Sequence, residues 1–390
     1  MAYVSLSMPT ATGDFSGAAV ALYDLPCTCL VLDPKGCTMD YLEVEDPRLP
    51  EPYLDVRSAR MDDVDVTLCD CSRLLRIAKD AVEQSRPAFL AVIGSTVSSI
   101  IGMDVDMTAQ ELEEQLGLPV VGVDADGFTS YAQGIHLATR AVIERFGQEQ
   151  DERKPVNGPV AVNVLGMTPL DFASPADADA IRCAVEACGF AVNSMLSYGC
   201  TLDDVRRAPQ AQLNLAVTSA GYQTARWMQQ RYGIPFATCC PITADDPALP
   251  RALAAALEGS PVSSPCMEPD APAAEGPATL IVGDAVMASS LRQWVRSRGH
   301  AAPVDVASFF RTADPLPGVA YLQGDLALVE LVEQRGYAHV IGDPLLERLP
   351  GMDRVRFTPL PHPPLSSLIH RDAMPALAAH DPLFERLLRD

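Results

Sequence analysis

The stretch Cys-Thr-Cys-Leu-Val-Leu, residues 27–32, runs directly into Asp33-Pro34-Lys35-Gly36-Cys37. Its first six residues are apolar or small on both faces, which is typical of a strand buried inside a parallel sheet. Pro34 and Gly36 then end the strand in a turn. Similar apolar runs follow at Phe89–Ile93, ended by Gly94, and at Pro119–Val123. The pattern predicts an α/β domain with parallel strands.

The segments between these runs predict the rest of a first domain over residues 1–150. Val64–Leu68 is predicted as a further strand, the second in chain order, and Ser72–Ser85 has the apolar period of a helix. Thr108, followed three residues later by Glu111, predicts a capping box that opens a helix. A long helix over Tyr131–Phe146 closes the domain.

Two more α/β domains are predicted, over residues 151–270 and 271–390. The polar run at 148–158 and the Ser- and Pro-rich run at 260–277 are predicted linkers. In the third domain, three predicted strands end in Gly-Asp, at Asp284, Asp325 and Asp343. These aspartates are predicted to cap helices, although the carboxyl ends of parallel strands are also where such sheets bind ligands. The fold class is α/β, with three doubly wound parallel sheets.

Composition limits the possible functions. The 29 Lys and Arg against 51 Asp and Glu give a net charge of −22, which disfavours binding to nucleic acid or to anionic lipid. No apolar run is long enough to cross a membrane, and the N-terminus lacks the basic and apolar regions of a secretory signal. A cytoplasmic location is expected, where structural disulfides are rare. The motifs GxxxxGK[ST], GxGxxG after a strand and GxSxG do not occur.

The eleven cysteines are the strongest chemical signal. Cys37 follows the first predicted strand, and Cys69 and Cys71 follow the second. Soft thiolates gathered at one sheet edge suit an iron–sulfur cluster or a soft metal. The alternative is that Cys69 and Cys71 are small packing residues near a strand end. Cys200 follows a strand and could face a cleft, and His362 lies in a Pro-rich segment that could reach one.

Four ordered stretches of the first domain resemble the component-1 family of nitrogenase-like oxidoreductases. Asn163–Gly166 and Gly283-Asp284 add a looser resemblance later in the chain. The four stretches are Asp14–Leu22, Asp33–Cys37, Gly94–Asp104 and Pro119–Phe128. The resemblance is closer to uncharacterised relatives than to true nitrogenase subunits.

The resemblance implies three Rossmann-like domains and an iron–sulfur cluster held by cysteines near a subunit interface. It makes Cys37 a cluster ligand, with Gly36 beside it. The sequence departs from the family pattern where Thr96 replaces a family cysteine and where nothing before Cys27 matches the N-terminal one. We infer from position alone that Cys69 and Cys71 compensate, and that Thr96, Ser98 and Ser99 donate hydrogen bonds to cluster sulfur.

The leading functional hypothesis is therefore a redox subunit that holds an iron–sulfur cluster, a [4Fe–4S] cluster by ligand count. The fourth ligand would come from the same edge, such as Cys29, or from a partner. Its expected partners are a related subunit or a second copy of itself, giving a dimer, and a separate ATP-dependent iron-protein reductase. The alternative is a non-catalytic scaffold or small-molecule-binding protein that kept the fold and lost the cluster.

Overall fold

The computed structural model describes most of the chain. The residues described are 11–41, 54–62, 64–65, 72–149, 158–172, 174–243, 245–259, 277–299, 302–367 and 369–376. Within them, no helix is both long and apolar enough to pass through a bilayer.

The first unit is built on a four-stranded parallel sheet in the order β2-β1-β3-β4. Its strands are β1 Cys27–Val31, β2 Asp55–Ser58, β3 Phe89–Ile93 and β4 Val120–Val123. Its helices are α1 Asp14–Ala21, α2 Gly36–Asp40, α3 Ser72–Ser85, α4 Thr96–Ile100, α5 Val105–Leu116 and α6 Tyr131–Phe146. β1 and β3 are buried along their whole length, as strands covered by helices on both faces must be.

The second unit repeats this order as β6-β5-β7-β8. Its strands are β5 Ala161–Met167, β6 Ala191–Ser197, β7 Leu213–Ala216 and β8 Phe236–Thr238. Its helices are α7 Pro175–Ala187, α8 Leu202–Arg207, α9 Ser219–Tyr232 and α10 Ala248–Leu257.

The third unit has five parallel strands in the order β11-β10-β9-β12-β13. Its strands are β9 Thr279–Val282, β10 Val304–Ser308, β11 Ala320–Tyr321, β12 His339–Gly342 and β13 Arg356–Pro359. Its helices are α11 Ala285–Ser297, α12 Asp325–Arg335 and α13 Pro363–Ser366. Short 3-10 turns lie at Ala208–Gln210, Pro344–Arg348, Met352–Arg354 and Arg371–Ala373.

The three all-parallel sheets confirm the predicted doubly wound α/β fold class. In each sheet the strand order reverses once beside the first strand of the unit, between β1 and β3, β5 and β7, or β9 and β12. Chains leave the sheet in opposite directions at such a point, which opens a crevice at the carboxyl ends of the two strands. The fold thus offers three crevices in which functional residues can gather.

The units are packed into one another through a shared core. One cluster of buried apolar side chains joins Tyr131 of the first unit, Leu165 of the second, and Phe310 and Leu365 of the third. Within the first unit, α1 and α6 approach so closely that a Cβ added to Gly134 would lie 1.8 Å from the carbonyl oxygen of Asp14. Only glycine permits this backbone contact.

Two sequence predictions in the first unit are wrong. The second strand in chain order is Asp55–Ser58. The strand predicted at Val64–Leu68 does not begin at Val64, which is 59% exposed in a turn whose backbone N–H groups donate to the Asp62 carboxylate. The rest of that prediction, at 66–68, lies outside the described residues. The predicted capping box at Thr108 also fails. Asp104 caps this helix instead, and the Thr108 hydroxyl lies inside it, donating to the Asp104 carbonyl.

Candidate functional site

Three side chains, one from each unit, meet where the units join. Tyr131 opens α6 of the first unit, Asp171 lies in the loop after β5 of the second, and His362 lies between β13 and α13 of the third. All three side chains are buried. We refer to these three residues as the junction cluster.

Backbone hydrogen bonds fix each member of the cluster. The Asp171 N–H donates to the Thr168 carbonyl, and the Thr168 hydroxyl donates to the Asp171 carboxylate at 3.0 Å. The His362 N–H donates to the Asp343 carboxylate at 2.8 Å. The N–H of Tyr131 donates to the carbonyl of Thr12, whose own N–H donates to the Pro364 carbonyl. The first unit is therefore tied to the segment that carries His362.

The cluster is a closed set of hydrogen bonds around one carboxylate oxygen. The Tyr131 hydroxyl donates to Oδ1 of Asp171 at 2.6 Å, and Nε2 of His362 lies 3.1 Å from the same oxygen. Nε2 is also 3.3 Å from the Tyr131 hydroxyl. Because a carboxylate only accepts, the contact with Nε2 requires a proton on that nitrogen. Burial, with the charges of Asp171 and Asp284, raises the pKa of Tyr131 well above its usual value, so the phenol keeps its proton.

The second ring nitrogen of His362, Nδ1, takes no part in the hydrogen bonds of the cluster. Nδ1 is buried and has no hydrogen-bond partner among the residues the structure describes. In a neutral imidazole with a proton on Nε2, this nitrogen carries a lone pair and accepts hydrogen bonds. A buried polar atom without a partner costs roughly 1–3 kcal/mol. Such an atom is therefore expected to meet a ligand or a water.

A cavity of about 60 Å³ adjoins the junction cluster. We call it the junction cavity; its walls include Asp171, Phe172, Asp284, Met287, Leu360 and His362. Since one water-sized probe occupies roughly 10–15 Å³, the cavity has room for a molecule of a few heavy atoms. Its walls are mostly apolar.

Asp284 is the second carboxylate of the junction cavity. It caps α11 by accepting from the N–H groups of Val286 and Met287 at 3.0 and 3.1 Å, as its Gly-Asp motif predicted. It also accepts from the N–H of Ser219 at 3.0 Å, which joins the third unit to the second. Burial, and then the charge of Asp171, raise the pKa of Asp284. Asp284 therefore both caps α11 and lines the junction cavity.

Asp343 caps a 3-10 turn, as its motif predicted, but it does not line the junction cavity. It accepts from the N–H of Leu345 at the start of a 3-10 turn and from the hydroxyl of Ser366 at 2.8 Å. With its bond to the His362 N–H, it holds the segment on both sides of that histidine. The prediction that Asp325 caps a helix is wrong, because Gly324 is the N-cap of α12 and Asp325 is its first helical residue.

The residues predicted from the sequence lie at a different place, the carboxyl edge of the first sheet. Gly36 and Cys37 are the first two residues of α2, and Thr96, Ser98 and Ser99 lie on α4. α2 and α4 follow β1 and β3, so these five residues flank the crevice of the first unit. We call them the first-unit edge. Cys69 and Cys71 lie outside the described residues.

The hydroxyl groups of the first-unit edge differ in what they can bind. Ser98 donates to the Ser95 carbonyl and accepts from the Ser95 N–H, so its one proton is used within the cap of α4. That Ser98 donates a hydrogen bond to a cluster sulfur stays a prediction. Thr96 is half-buried and packs against Gly127, where an added Cβ would lie 1.9 Å from the Thr96 hydroxyl oxygen. Ser99 is exposed.

A family comparison decides which kind of protein this is. The model of the nitrogenase component 1 type oxidoreductases matches residues 14–274, about two thirds of the chain. The chain belongs to this family. The match begins at α1 and extends past α10, so it covers the first two units.

Three curated relatives illustrate the range of this component 1 type family. The chain is 28% identical over 189 residues to the nitrogenase molybdenum-iron protein alpha chain of Clostridium pasteurianum, covering 47% of this chain and 34% of the relative. It is 24% identical over 168 residues to a light-independent protochlorophyllide reductase subunit of Halorhodospira halophila, covering 42% and 32%. It is 27% identical over 236 residues to the cofactor biosynthesis protein NifE of Methanosarcina barkeri, covering 57% and 50%. The chain thus spans a third to a half of these relatives.

A solved structure shows that the fold likeness extends further than the sequence match. The structure titled "Nitrogenase Cp1 at pH 6.5" superposes with a TM-score of 0.70 at 15% identity, covering 95% of this chain and 89% of that one. This agreement includes the third unit, which the family model largely leaves out.

Several of the cysteines that the structure describes are buried in the interior. Cys29, predicted as a possible fourth ligand, lies in the middle of β1 with no exposed surface rather than at the sheet edge. Cys200 does not face a cleft, because it is buried in the shared core and burial raises its pKa. Cys239 and Cys240 are also buried. Among the described residues, no group of three or more His, Cys, Asp or Glu is arranged to hold a metal ion.

Sequence reasoning missed Tyr131 and Asp171 and left the role of His362 open. His362 was expected in an exposed loop or at a cleft, and it lies at the cavity. The motif that could have pointed there is Gly283-Asp284, since an aspartate at the carboxyl end of a parallel strand both caps and faces ligands. No local pattern marks Tyr131 or Asp171.

Proposed function

We propose that this chain is a subunit of a nitrogenase-type oxidoreductase that adds low-potential electrons to a substrate in the junction cavity. The observation that carries the proposal is the junction cluster, in which three units each supply one polar side chain beside a cavity. Membership of an oxidoreductase family supports the redox part of the proposal, and two of the relatives are named as a nitrogenase chain and a reductase subunit.

The chain's own residues would manage protons. Each electron added to a bound molecule raises its affinity for a proton, so a reductase requires a proton carrier next to its substrate. His362 can hold a proton on Nδ1 while Nε2 remains bonded to Asp171. The Asp171 carboxylate stabilises the imidazolium and fixes the orientation of the ring, as the acid does in a catalytic triad. Tyr131 keeps Asp171 in place by donating to the same oxygen.

An iron–sulfur cluster, when bound, would supply single low-potential electrons. The ligand we propose at the first-unit edge is Cys37, which lies in the first turn of α2. The space around its neighbour Gly36 is open, with no atom within 4 Å of an added Cβ. The described residues do not supply a full ligand set. We propose that Cys69, Cys71 or a partner subunit completes it.

The proposed partners follow from this incomplete set. A related subunit or a second copy of the chain would meet the first-unit edge and contribute ligands, and a separate ATP-dependent iron protein would deliver the electrons. Light scattering in anaerobic, iron-replete buffer is expected to give a dimer or larger assembly. A monomer under these conditions would count against the shared-ligand arrangement.

A second candidate function is a scaffold or small-molecule-binding protein without a redox centre. Two observations favour it: Thr96 stands where the family pattern has a cysteine, and the described residues contain no ready-made metal site. One of the relatives, NifE, is named for cofactor biosynthesis.

The two candidates differ in their response to an electron donor. The protein is purified anaerobically with its bound partners, and the visible absorption of the complex is followed after adding dithionite, with and without MgATP. A redox subunit with its iron protein bleaches in an ATP-dependent way, because reduced iron–sulfur clusters lose visible absorption. A complex that contains an iron protein but shows the same spectrum with and without MgATP would overturn the proposal in favour of the scaffold.

A further inference from the structure

The junction cavity is lined by apolar side chains from two units. Phe172 and Ile242 come from the second unit, and Ile281, Leu291 and Leu360 come from the third. A water molecule needs two to four polar partners, and cavities with such linings stay dry and bind apolar molecules instead. The apolar lining therefore favours an apolar ligand.

The two carboxylates that line the cavity already have hydrogen-bond partners within the protein. Oδ1 of Asp284 accepts from the N–H groups of Val286 and Met287 at 3.0 and 3.1 Å. Its Oδ2 accepts from the N–H of Ser219 at 3.0 Å. The charge of Asp284 is thus stabilised by three backbone donors and does not depend on a ligand.

Asp171, the second carboxylate, is engaged in the same way. Its Oδ1 accepts from the Tyr131 hydroxyl and faces Nε2 of His362, and its Oδ2 accepts from the Thr168 hydroxyl. The other ring nitrogen of His362 is buried. Among the described lining residues there is no lysine or arginine. A charged or hydrogen-bonding molecule would lose its hydration on entering, with little to replace it.

One face of α11 forms part of the cavity wall. Its lining residues are Asp284, Met287, Ala288 and Leu291. They stand at positions i, i+3, i+4 and i+7, which share one face of a helix. Met287 is half-buried, and its flexible thioether can adapt to ligands of different shape. Ala288 has the smallest side chain on this face, so a larger side chain at that position would occupy the cavity.

We propose that the junction cavity binds a small, uncharged, apolar molecule and selects against molecules that carry a charge or hydrogen-bonding groups. Its volume of about 60 Å³ corresponds to roughly four to six water-sized probes, which limits the ligand to about that number of heavy atoms. The inference names the substrate class of the same cavity, and so rests on the proposed function for the chemistry that follows binding.

Four molecules of nearly equal shape separate polarity from size. 2-Methylpropene, acetamide, guanidinium and acetate each have four heavy atoms in one plane. The first is apolar, the second is neutral and polar, and the last two carry a positive and a negative charge. Binding is measured on the wild-type protein, as isolated and labelled with ¹³C in the methionine methyl groups, by the NMR shift of the Met287 methyl group. Met287→Leu assigns that signal.

The expected result is that 2-methylpropene shifts the Met287 signal and binds at least about tenfold more tightly than each of the other three molecules. The signal of Met107, which is 59% exposed on α5 and does not line the cavity, should stay in place. Ala288→Leu should weaken 2-methylpropene by about tenfold or more. The matched control is Ala327→Leu, because Ala327 is a half-buried alanine on α12 that does not line the cavity, and it should bind as the wild type does.

The series of four molecules needs no filled cavity, so the proposal stays testable if Ala288→Leu does not fold. Acetamide, guanidinium or acetate binding as tightly as 2-methylpropene would overturn it. So would a Met287 signal that does not move when the solution is saturated with 2-methylpropene, or a folded Ala288→Leu protein that binds as the wild type does. Because the titration involves no iron protein and no reductant, a protein that binds 2-methylpropene but shows no redox activity would refute the proposed function alone.

Discussion

The hydrogen bond between Tyr131 and Asp171 offers a sharp test of the junction cluster. Tyr131→Phe removes one hydroxyl from a fully buried ring and leaves the Asp171 oxygen with His362 as its remaining partner in the cluster. A hydrogen bond to a charged, buried acceptor contributes roughly 1.5–3 kcal/mol. We expect the substitution to lower the free energy of unfolding by about 2 kcal/mol.

The chain contains a matched control for this change. Tyr337 donates to Asp305 at the same distance of 2.6 Å, but Asp305 is partly exposed. Water can replace the lost phenol there, so Tyr337→Phe should cost about 1 kcal/mol or less. Urea unfolding followed by the fluorescence of Trp227 and Trp294 reports on the second and third units. Equal costs for the two substitutions would refute the view that the junction cluster holds its carboxylate away from water.

Three further predictions test the fold around the site. Gly134→Ala places a Cβ 1.8 Å from the Asp14 carbonyl and should destabilise the protein by about 3 kcal/mol; Gly283→Ala, with no atom within 4 Å, should change the unfolding free energy little, and equal effects would contradict the close helix contact. Asn163→Ala removes four side-chain hydrogen bonds at the centre of the second sheet, three of them buried, so we expect urea unfolding to show a free energy of unfolding lower by about 3 kcal/mol. A loss below about 1 kcal/mol would be inconsistent with that network. Burial raises the pKa of Asp14 from 3.8 to about 6, so the folded protein binds a proton that the unfolded chain releases, and stability should fall by up to about 3 kcal/mol as the pH rises from about 4 to about 6. Asp14→Asn should remove this part of the pH dependence; an unchanged slope would show that Asp14 does not titrate there.

Much of the fold could be predicted because its elements carry local signals. The bounds of α3 and α6 were predicted to the residue, those of α3 from its apolar period. The strand β2 was missed because Asp-Val-Arg-Ser alternates charged and small residues, as fits a half-buried strand at the edge of the sheet. Val64–Leu68 has a more strand-like composition, but Asp62 binds the backbone of the turn where it begins.

The candidate site could be predicted only in part, because its contacts join distant parts of the chain. Tyr131 and Asp171 are 40 residues apart in sequence, and Asp171 and His362 are 191 apart. No periodicity or motif encodes such separations. The Gly-Asp motifs were visible because capping is local. The Pro-rich surroundings of His362 suggested a rigid segment, but its burial depends on how Asp343 and α13 hold that segment against the first unit.

For the cysteines, the sequence predicts positions along the chain better than it predicts roles as ligands. Cys37 could be placed at a strand's carboxyl end because Gly36 and Pro34 mark the turn, and the structure puts it at the start of α2. Cys29 could not be excluded as a ligand from spacing alone. The structure places it inside a fully buried strand rather than at the sheet edge. The roles of Cys69 and Cys71 stay predictions.

The iron and acid-labile sulfide content of the anaerobically purified protein tests the redox account most directly. We predict that the wild type contains both and gives an EPR signal after reduction, and that Cys37→Ser loses most of the iron while keeping its fold. Cys183→Ser, which changes an exposed cysteine on α7, should retain the iron of the wild type. A wild type without iron, or a Cys37→Ser protein with as much iron as the wild type, would contradict the account.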